Sequence, residues 1–228
     1  MTTDGEALFH AICEQPWEDT PRLMYADWLE ENGDPQRAEF IRLQIEAARP
    51  GMNLAAPDLA ARAEHLRKES EGRWTRGSPT TFGVRIERNL RRGFYNEVTF
   101  DGVQAFHVHA DEAFGWTPID TMSMRHVTDD SIAEVLDSRY VARLMKLSLS
   151  SGMSDRGCEV ISECPQLVRL ESLEFWSSTV TDAGALMLAN SPHLKSLTNL
   201  RLGQRHGVVR LQKPTVALMK RRFRYFSR

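Results

Sequence analysis

Between Ile119 and Leu202 the chain says the same thing several times. The apolar triplets are Ile119, Met122, Met124; Leu144, Leu147, Leu149; Leu170, Leu173, Phe175; and Leu197, Leu200, Leu202. The middle position advances from 122 to 147 to 173 to 200, in steps of 25, 26 and 27 residues. A second signal keeps pace with it: Val127-Thr128-Asp129, Met153-Ser154-Asp155 and Val180-Thr181-Asp182. A period in this range implies stacked copies of one supersecondary unit, because no single copy can bury its own apolar edge.

Each column of the alignment has a physical reading. Two apolar residues two positions apart leave a short strand on the same side. The Thr/Ser–Asp pair then opens a helix, with a hydroxyl to accept from a free backbone N–H and an acid suited to the helix dipole. Ser131, Gly157 and Gly184 share the next column, then Ile132, Cys158 and Ala185. Val135, Ile161 and Leu188 make the buried stripe. The helices stop near Asp137-Ser138, Glu163-Cys164-Pro165 and Asn190-Ser191-Pro192, where proline cannot continue them. The pattern resembles the leucine-rich repeat. That resemblance implies a short right-handed solenoid with a parallel sheet inside and helices outside. The chain departs from common repeats of that kind at the usual Asn position, occupied here by Val127, Gly152, Ser178 and Arg205.

Both flanks extend the pattern. Val98 and Phe100 lie 24 residues ahead of Met122 and Met124, and a stripe of Val103, Phe106, Ala110 and Phe114 comes next. This reads as an irregular first unit. After Leu202 comes a degenerate loop, then Lys213-Pro214. Val216, Met219 and Phe223 at helical spacing predict a capping helix over 214–225.

The N-terminal part is helical. A first helix is expected over 6–14, with Leu8, Ile12 and Phe9 inward. A second starts at Thr20-Pro21 and stops at Asn32-Gly33. A third starts at Asp34-Pro35 and ends before Pro50. A polar helix over 58–72 carries Leu59, Ala63 and Leu66 on one side, and a Gly-, Ser-, Thr- and Pro-rich loop occupies 73–82. Leu8, Ile12, Met24, Trp28, Leu29, Ile41 and Ile45 are the expected core of this module. The stretch 16–44, from Pro16-Trp17-Glu18-Asp19-Thr20-Pro21 through Tyr25-Ala26-Asp27-Trp28-Leu29 and Asn32-Gly33-Asp34-Pro35 to Gln44, resembles the bacterial repeat-companion domain. That domain is known mainly from planctomycetes and myxobacteria, typically ahead of leucine-rich repeats. Residues 91–98, Arg91-Arg92-Gly93-Phe94-Tyr95-Asn96-Glu97-Val98, resemble the Arg-Gly-Phe strand that opens its repeat region. The resemblance implies an interaction protein and no catalytic activity. The expected division is a helical module at 1–72, a linker with the irregular first unit at 73–118, and repeats with a closing helix at 119–228. The fold class is α/β.

Composition narrows the function classes. Charged residues are 26% and hydrophobic ones 41%, which is ordinary for a soluble chain. No membrane-spanning run and no signal-peptide pattern is found, so a cytoplasmic protein is expected. Three cysteines cannot all pair; Cys158 and Cys164 fall in small or apolar columns and read as buried thiols. No Walker loop, Gly-x-Ser-x-Gly or His-Glu-x-x-His is present. His107 and His109 are two apart, nearly opposite on a helix, and nothing at ligand spacing completes a metal site. No cofactor and no metal is expected. The acids Asp19, Asp27, Glu30, Glu31, Asp34 and Glu39 are dense; helix starts and pairing with Arg22, Arg37 and Arg42 account for them without chemistry. A hydrolase centred there has no motif behind it.

Two surfaces remain. On the open side of the strands, Arg125, Lys146, Ser150, Glu174, Trp176 and Arg201 are candidate contacts to a protein partner. Trp176 among small residues reads either as a binding anchor or as a residue covered by a loop or the tail. Glu174 and Arg201 are expected in adjacent strands of one column. The alternative is nucleic acid, or another anionic surface, bound through 201–228. That segment holds nine Lys/Arg and no acid, whereas the other 200 residues hold 20 Lys/Arg against 31 Asp/Glu. Lys220, Arg221, Arg222 and Arg224 would make those contacts, interleaved with Phe223, Tyr225 and Phe226.

Overall fold

The structure is a computed structural model that describes residues 3–49, 56–74, 81–87, 89–150, 152–203 and 209–228. Its helices are α1 (Asp4–Glu14), α2 (Thr20–Glu31), α3 (Pro35–Ala47), α4 (Ala56–Trp74) and α5 (Val103–Trp116). They continue with α6 (Ile132–Leu136), α7 (Asp155–Glu163), α8 (Asp182–Asn190) and α9 (Lys213–Arg222). The strands are β1 (Val84–Ile86), β2 (Leu90–Arg91), β3 (Phe94–Tyr95), β4 (Glu97–Asp101) and β5 (Thr121–Arg125). After them come β6 (Lys146–Leu149), β7 (Ser172–Phe175), β8 (Asn199–Leu202) and β9 (Tyr225–Ser227). The chain divides into two compact units. One comprises 1–80, 86–96 and 112–119; the other comprises 81–85, 97–111 and 120–228. The segment 73–118 is thus shared between them. Pro50, residues 75–80 of the expected loop, and 204–208 with the Arg205 position lie outside the described residues.

In the first unit, α1 begins two residues before the expected start. Thr3 accepts from the Glu6 N–H at 3.2 Å while the Glu6 carboxylate accepts from the Thr3 N–H at 2.8 Å, a reciprocal pair that satisfies two free donors. Asp34 opens α3 as expected, accepting from the Arg37 N–H at 3.1 Å. Asp19 stands at the corresponding place before α2 but makes no side-chain cap, and its carboxylate lies 3.5 Å from Arg92 Nη1 instead. The core gathers Ile12, Ala26, Leu29, Ala38, Ile41, Ile45 and Phe94. Phe40, Ala63 and Leu66 form a smaller cluster. Two members of the expected core are corrected: Met24 is 53% exposed and Leu8 is only half-buried.

Arginines are buried in this unit in their stead. Arg22 is buried and donates to Glu18 O at 2.6 Å and Pro16 O at 2.9 Å. Carbonyl partners of this kind make a buried guanidinium tolerable. The expected pairing with acids is seen at Arg42, which holds Asp27 and Glu30, both at 2.7 Å.

The Arg-Gly-Phe motif builds the β2–β3 hairpin. Arg92 and Gly93 both have positive φ, 50° and 90°, the requirement of a tight two-residue turn matching strand twist. Gly93 is also where the hairpin meets α3: a Cβ there would come within 2.5 Å of Ile41 Cγ1, and its N–H donates to Gln44 Oε1 at 2.6 Å. Phe94 then enters the core, and Arg92 Nη1 donates to Trp17 O at 2.8 Å.

The second unit is built on a sheet of order β1-β4-β5-β6-β7-β8-β9. From β4 to β9 every pairing is parallel. The register is the one the repeat dictates. Val98, Met122, Leu147, Leu173 and Leu200 lie side by side, as do Phe100, Met124, Leu149, Phe175 and Leu202. All ten are buried. Helices α5 to α8 connect successive strands, and their stripes Val135, Ile161 and Leu188 are buried with the strands' apolar residues.

The acids after each strand do more than start helices. Asp129 accepts from the N–H and hydroxyl of Ser154. Asp155 accepts from Thr181 N at 2.7 Å, Thr181 Oγ1 at 2.5 Å and Gly184 N at 3.1 Å. Asp182 accepts from Gln212 N at 3.0 Å. One carboxylate per unit therefore reaches into the next. Ser154 and Thr181 cap α7 and α8, accepting from Arg156 N and Ala183 N. Thr128 does not cap α6; it turns with Ser131 ahead of that short helix.

The tail forms α9 as expected, with Met219 and Phe223 buried and Val216 half-buried. The helix stops short of the expected end at 225, however, and the chain straightens. Tyr225–Ser227 is a strand, β9, paired with β8 through Asn199–Tyr225 and Leu200–Phe226.

Candidate functional site

Alternation on β5 to β8 leaves one face of the sheet to polar side chains. Lys146, Ser148, Glu174 and Arg201 occupy positions between the buried pairs, and Arg125, Ser150 and Trp176 stand at the strand ends. Glu174 and Arg201 are register partners, as expected. They do not pair. The Glu174 carboxylate takes Lys146 Nζ at 2.9 Å, one strand the other way. The Arg201 guanidinium instead lies over the Trp176 ring, 3.9 Å from its centroid. Trp176 Nε1 donates to Ser148 Oγ at 2.8 Å.

The physical reason is the indole. Glu174 is already taken by Lys146, and stacking on the flat indole face buries the guanidinium's poorly hydrated plane. Trp176 stays 45% exposed, so among the described residues neither a loop nor the tail covers it. Arg125 and Ser150 are exposed nearby on the same face, and Ser150 Oγ donates to Met124 O at 3.1 Å. The result is an indole fixed from two sides, beside a matched pair of charges.

The cations of α9 and its C-terminal extension divide. Lys220, Arg221 and Arg224 are exposed. Arg222 turns inward and donates to Ala189 O at 3.3 Å, Leu197 O at 3.1 Å and Leu194 O at 2.9 Å. Arg228 likewise serves Val209 O and Leu211 O. Arg222 and Arg228 are thus used structurally, and Arg201 of the same segment is stacked on Trp176.

A cavity in the first unit has no signature in the sequence. It measures about 920 Å³, and its walls include Phe9, Tyr25, Trp28, Phe94, Trp116 and Arg37. Trp28 can lie against α1 only because Gly5 has no side chain; a Cβ there would come within 2.5 Å of the ring. Tyr25 and Trp28 stack at 5.8 Å. Arg37 is 9% exposed and sits among aromatic rings, 4.5 Å from the Trp74 centroid and 5.2 Å from that of Phe94. Burial lowers its pKa to about 10, and the nearby Tyr25 and Asp34 oppose that shift. Burial also raises the Tyr25 phenol, with Arg37 working against it. The Tyr25–Trp28 spacing predicts a packing pair, but no periodicity signals a hollow beside it.

All three thiols are buried, and no disulfide links them. Burial pushes Cys158 far up, helped by Asp155 and Asp129, and raises Cys164 as well. Among the described residues, no group of three or more His, Cys, Asp or Glu is gathered to hold a metal ion, and no helix is long and apolar enough to cross a membrane. Comparison with family models, curated proteins and solved structures finds no match to this chain.

Proposed function

We propose that this chain is a non-catalytic interaction protein. It is a repeat-companion module joined to a short leucine-rich-repeat solenoid, which takes a protein partner on the open face of its sheet. The repeat register across β4 to β8 supports the solenoid reading, and so does one carboxylate link per unit. The Arg-Gly-Phe hairpin supports the companion module, since each residue of the motif has a defined part in the helical unit.

The observation that carries the functional reading is Trp176. A half-exposed indole, held by Ser148 on one side and Arg201 on the other, has already lost the rotamer freedom that binding would otherwise remove. Rigid aromatic residues with an arginine beside them are the usual anchors of protein interfaces. Lys146 and Glu174 supply a polar border to it. The generic anionic-surface reading through 201–228 is weakened because Arg222 and Arg228 are turned to backbone carbonyls.

The test is affinity capture from the native cell with wild-type and Trp176→Ala baits of equal stability. The reading predicts a stoichiometric protein retained by the first and lost by the second. Retention by both baits, or capture of nucleic acid that disappears with salt, would contradict it.

A further inference from the structure

Arg37 Nη1 and Trp74 Nε1, both in the first unit, lack acceptors among the described residues. Both atoms are closed to solvent, and both residues line the aromatic cavity. Their side chains lie together, the guanidinium carbon 4.5 Å from the indole centroid. Buried N–H groups without partners are costly, so a pair of them at one wall asks for an acceptor. The rings around Arg37 compensate its charge but accept little hydrogen bonding.

The acids nearby do not fill that role. Asp34 is engaged by the Arg37 backbone N–H, and Glu6 by the cap of α1. Their presence in the wall also limits the charge of any ligand to a small one. A singly charged planar acceptor fits, because a guanidinium fork matches a carboxylate. The remaining wall is apolar and aromatic: Phe9, Tyr25, Trp28 and Trp116 would lie against a flat hydrocarbon body. The volume of about 920 Å³ is that of a site for a small organic molecule.

We infer that this cavity binds a small aromatic monocarboxylate, with Arg37 and Trp74 at its carboxylate and the aromatic wall against its ring. Its lining residues all belong to the first unit, and the inference does not depend on the reading given to the sheet face.

Naphthoate and its neutral amide serve as matched probes, titrated into the full chain by calorimetry and by quenching of indole fluorescence. The acid is expected to bind at least about tenfold more tightly than the amide, the worth of one charge-assisted hydrogen bond. In Arg37→Met that preference falls to about unity, because the fork is gone. Should Arg37→Met fail to fold by circular dichroism, Trp74→Phe keeps the ring and removes only the N–H. It is expected to weaken the acid several-fold with the melting curve unchanged. Equal binding of acid and amide to the wild type would overturn the assignment. So would saturation by neither probe at millimolar concentration, or an acid preference that survives both substitutions.

Discussion

Asp155 and Gly184 meet where one unit of the sheet is joined to the next. The carboxylate accepts from the Gly184 N–H at 3.1 Å, and a Cβ on Gly184 would overlap Asp155 Oδ1. Asp129 stands to Gly157 in the same way one unit earlier, although there the carboxylate bonds Ser154. The glycines of that column are small because an acid from the preceding unit occupies the space beside them.

Helix propensity alone says that Gly184→Ala should stabilise α8 by about 1 kcal/mol. The link to Asp155 reverses the sign: we expect a loss of about 1–3 kcal/mol, the usual result of overfilling a packed site. Asp155→Ser should remove much of the additional loss, and a double-mutant cycle by urea denaturation measures the coupling.

These residues also mark how far the fold is legible in the sequence. The period alone places Met122, Leu147, Leu173 and Leu200 in one row, since register in a half-buried sheet follows the apolar pattern. The Thr/Ser–Asp pair reads as a helix start, which holds for Ser154 and Thr181. That Asp155 also bonds the next unit is not legible, because a side chain's second partner leaves no trace in spacing. The same holds for Arg201. Its column follows from the repeat, but its choice of Trp176 over Glu174 is decided by geometry across a strand end. Arg22 and Arg37 read as partners of nearby acids, the ordinary role of arginine. The carbonyls and rings that make their burial possible include groups far away in the chain, which spacing does not reveal.

Leu173→Ala should cost about 2–5 kcal/mol, as truncations in a packed core do. Leu173 is buried in a central strand with Leu147 and Leu200 on either side, so little collapse can relieve the cavity. Chemical denaturation of the second unit's transition measures it.

Cys158 and Cys164 should react slowly with a bulky thiol reagent, and should remain slow as pH rises from about 7 to 9. An ordinary thiol ionises over that range. Burial raises both groups here, so the thiolate fraction stays small in the folded state. Fast labelling should appear only with unfolding, which mass spectrometry along a denaturant series can track.

The basic tail separates into two kinds of cation. Arg222→Gln should destabilise the end of the sheet by about 1.5–3 kcal/mol, since three carbonyls lose a charged donor. Gln at Lys220, Arg221 and Arg224 should change stability by no more than about 0.5 kcal/mol each. Deleting 214–228 should open the β8 edge to amide exchange, because most of α9 and all of β9 are lost together. Hydrogen exchange of Asn199–Leu202 reports all three cases.

Whether the open sheet face around Trp176 takes a protein partner is tested most directly by photo-crosslinking. One crosslinking residue is placed at Ser150, beside the indole, and the same residue at Arg221 on α9 serves as the comparison. In the native cell we expect a discrete, protease-sensitive adduct from position 150 that vanishes when Trp176→Ala is added. An adduct only from position 221, or one removed by nuclease, would refute binding at the sheet face.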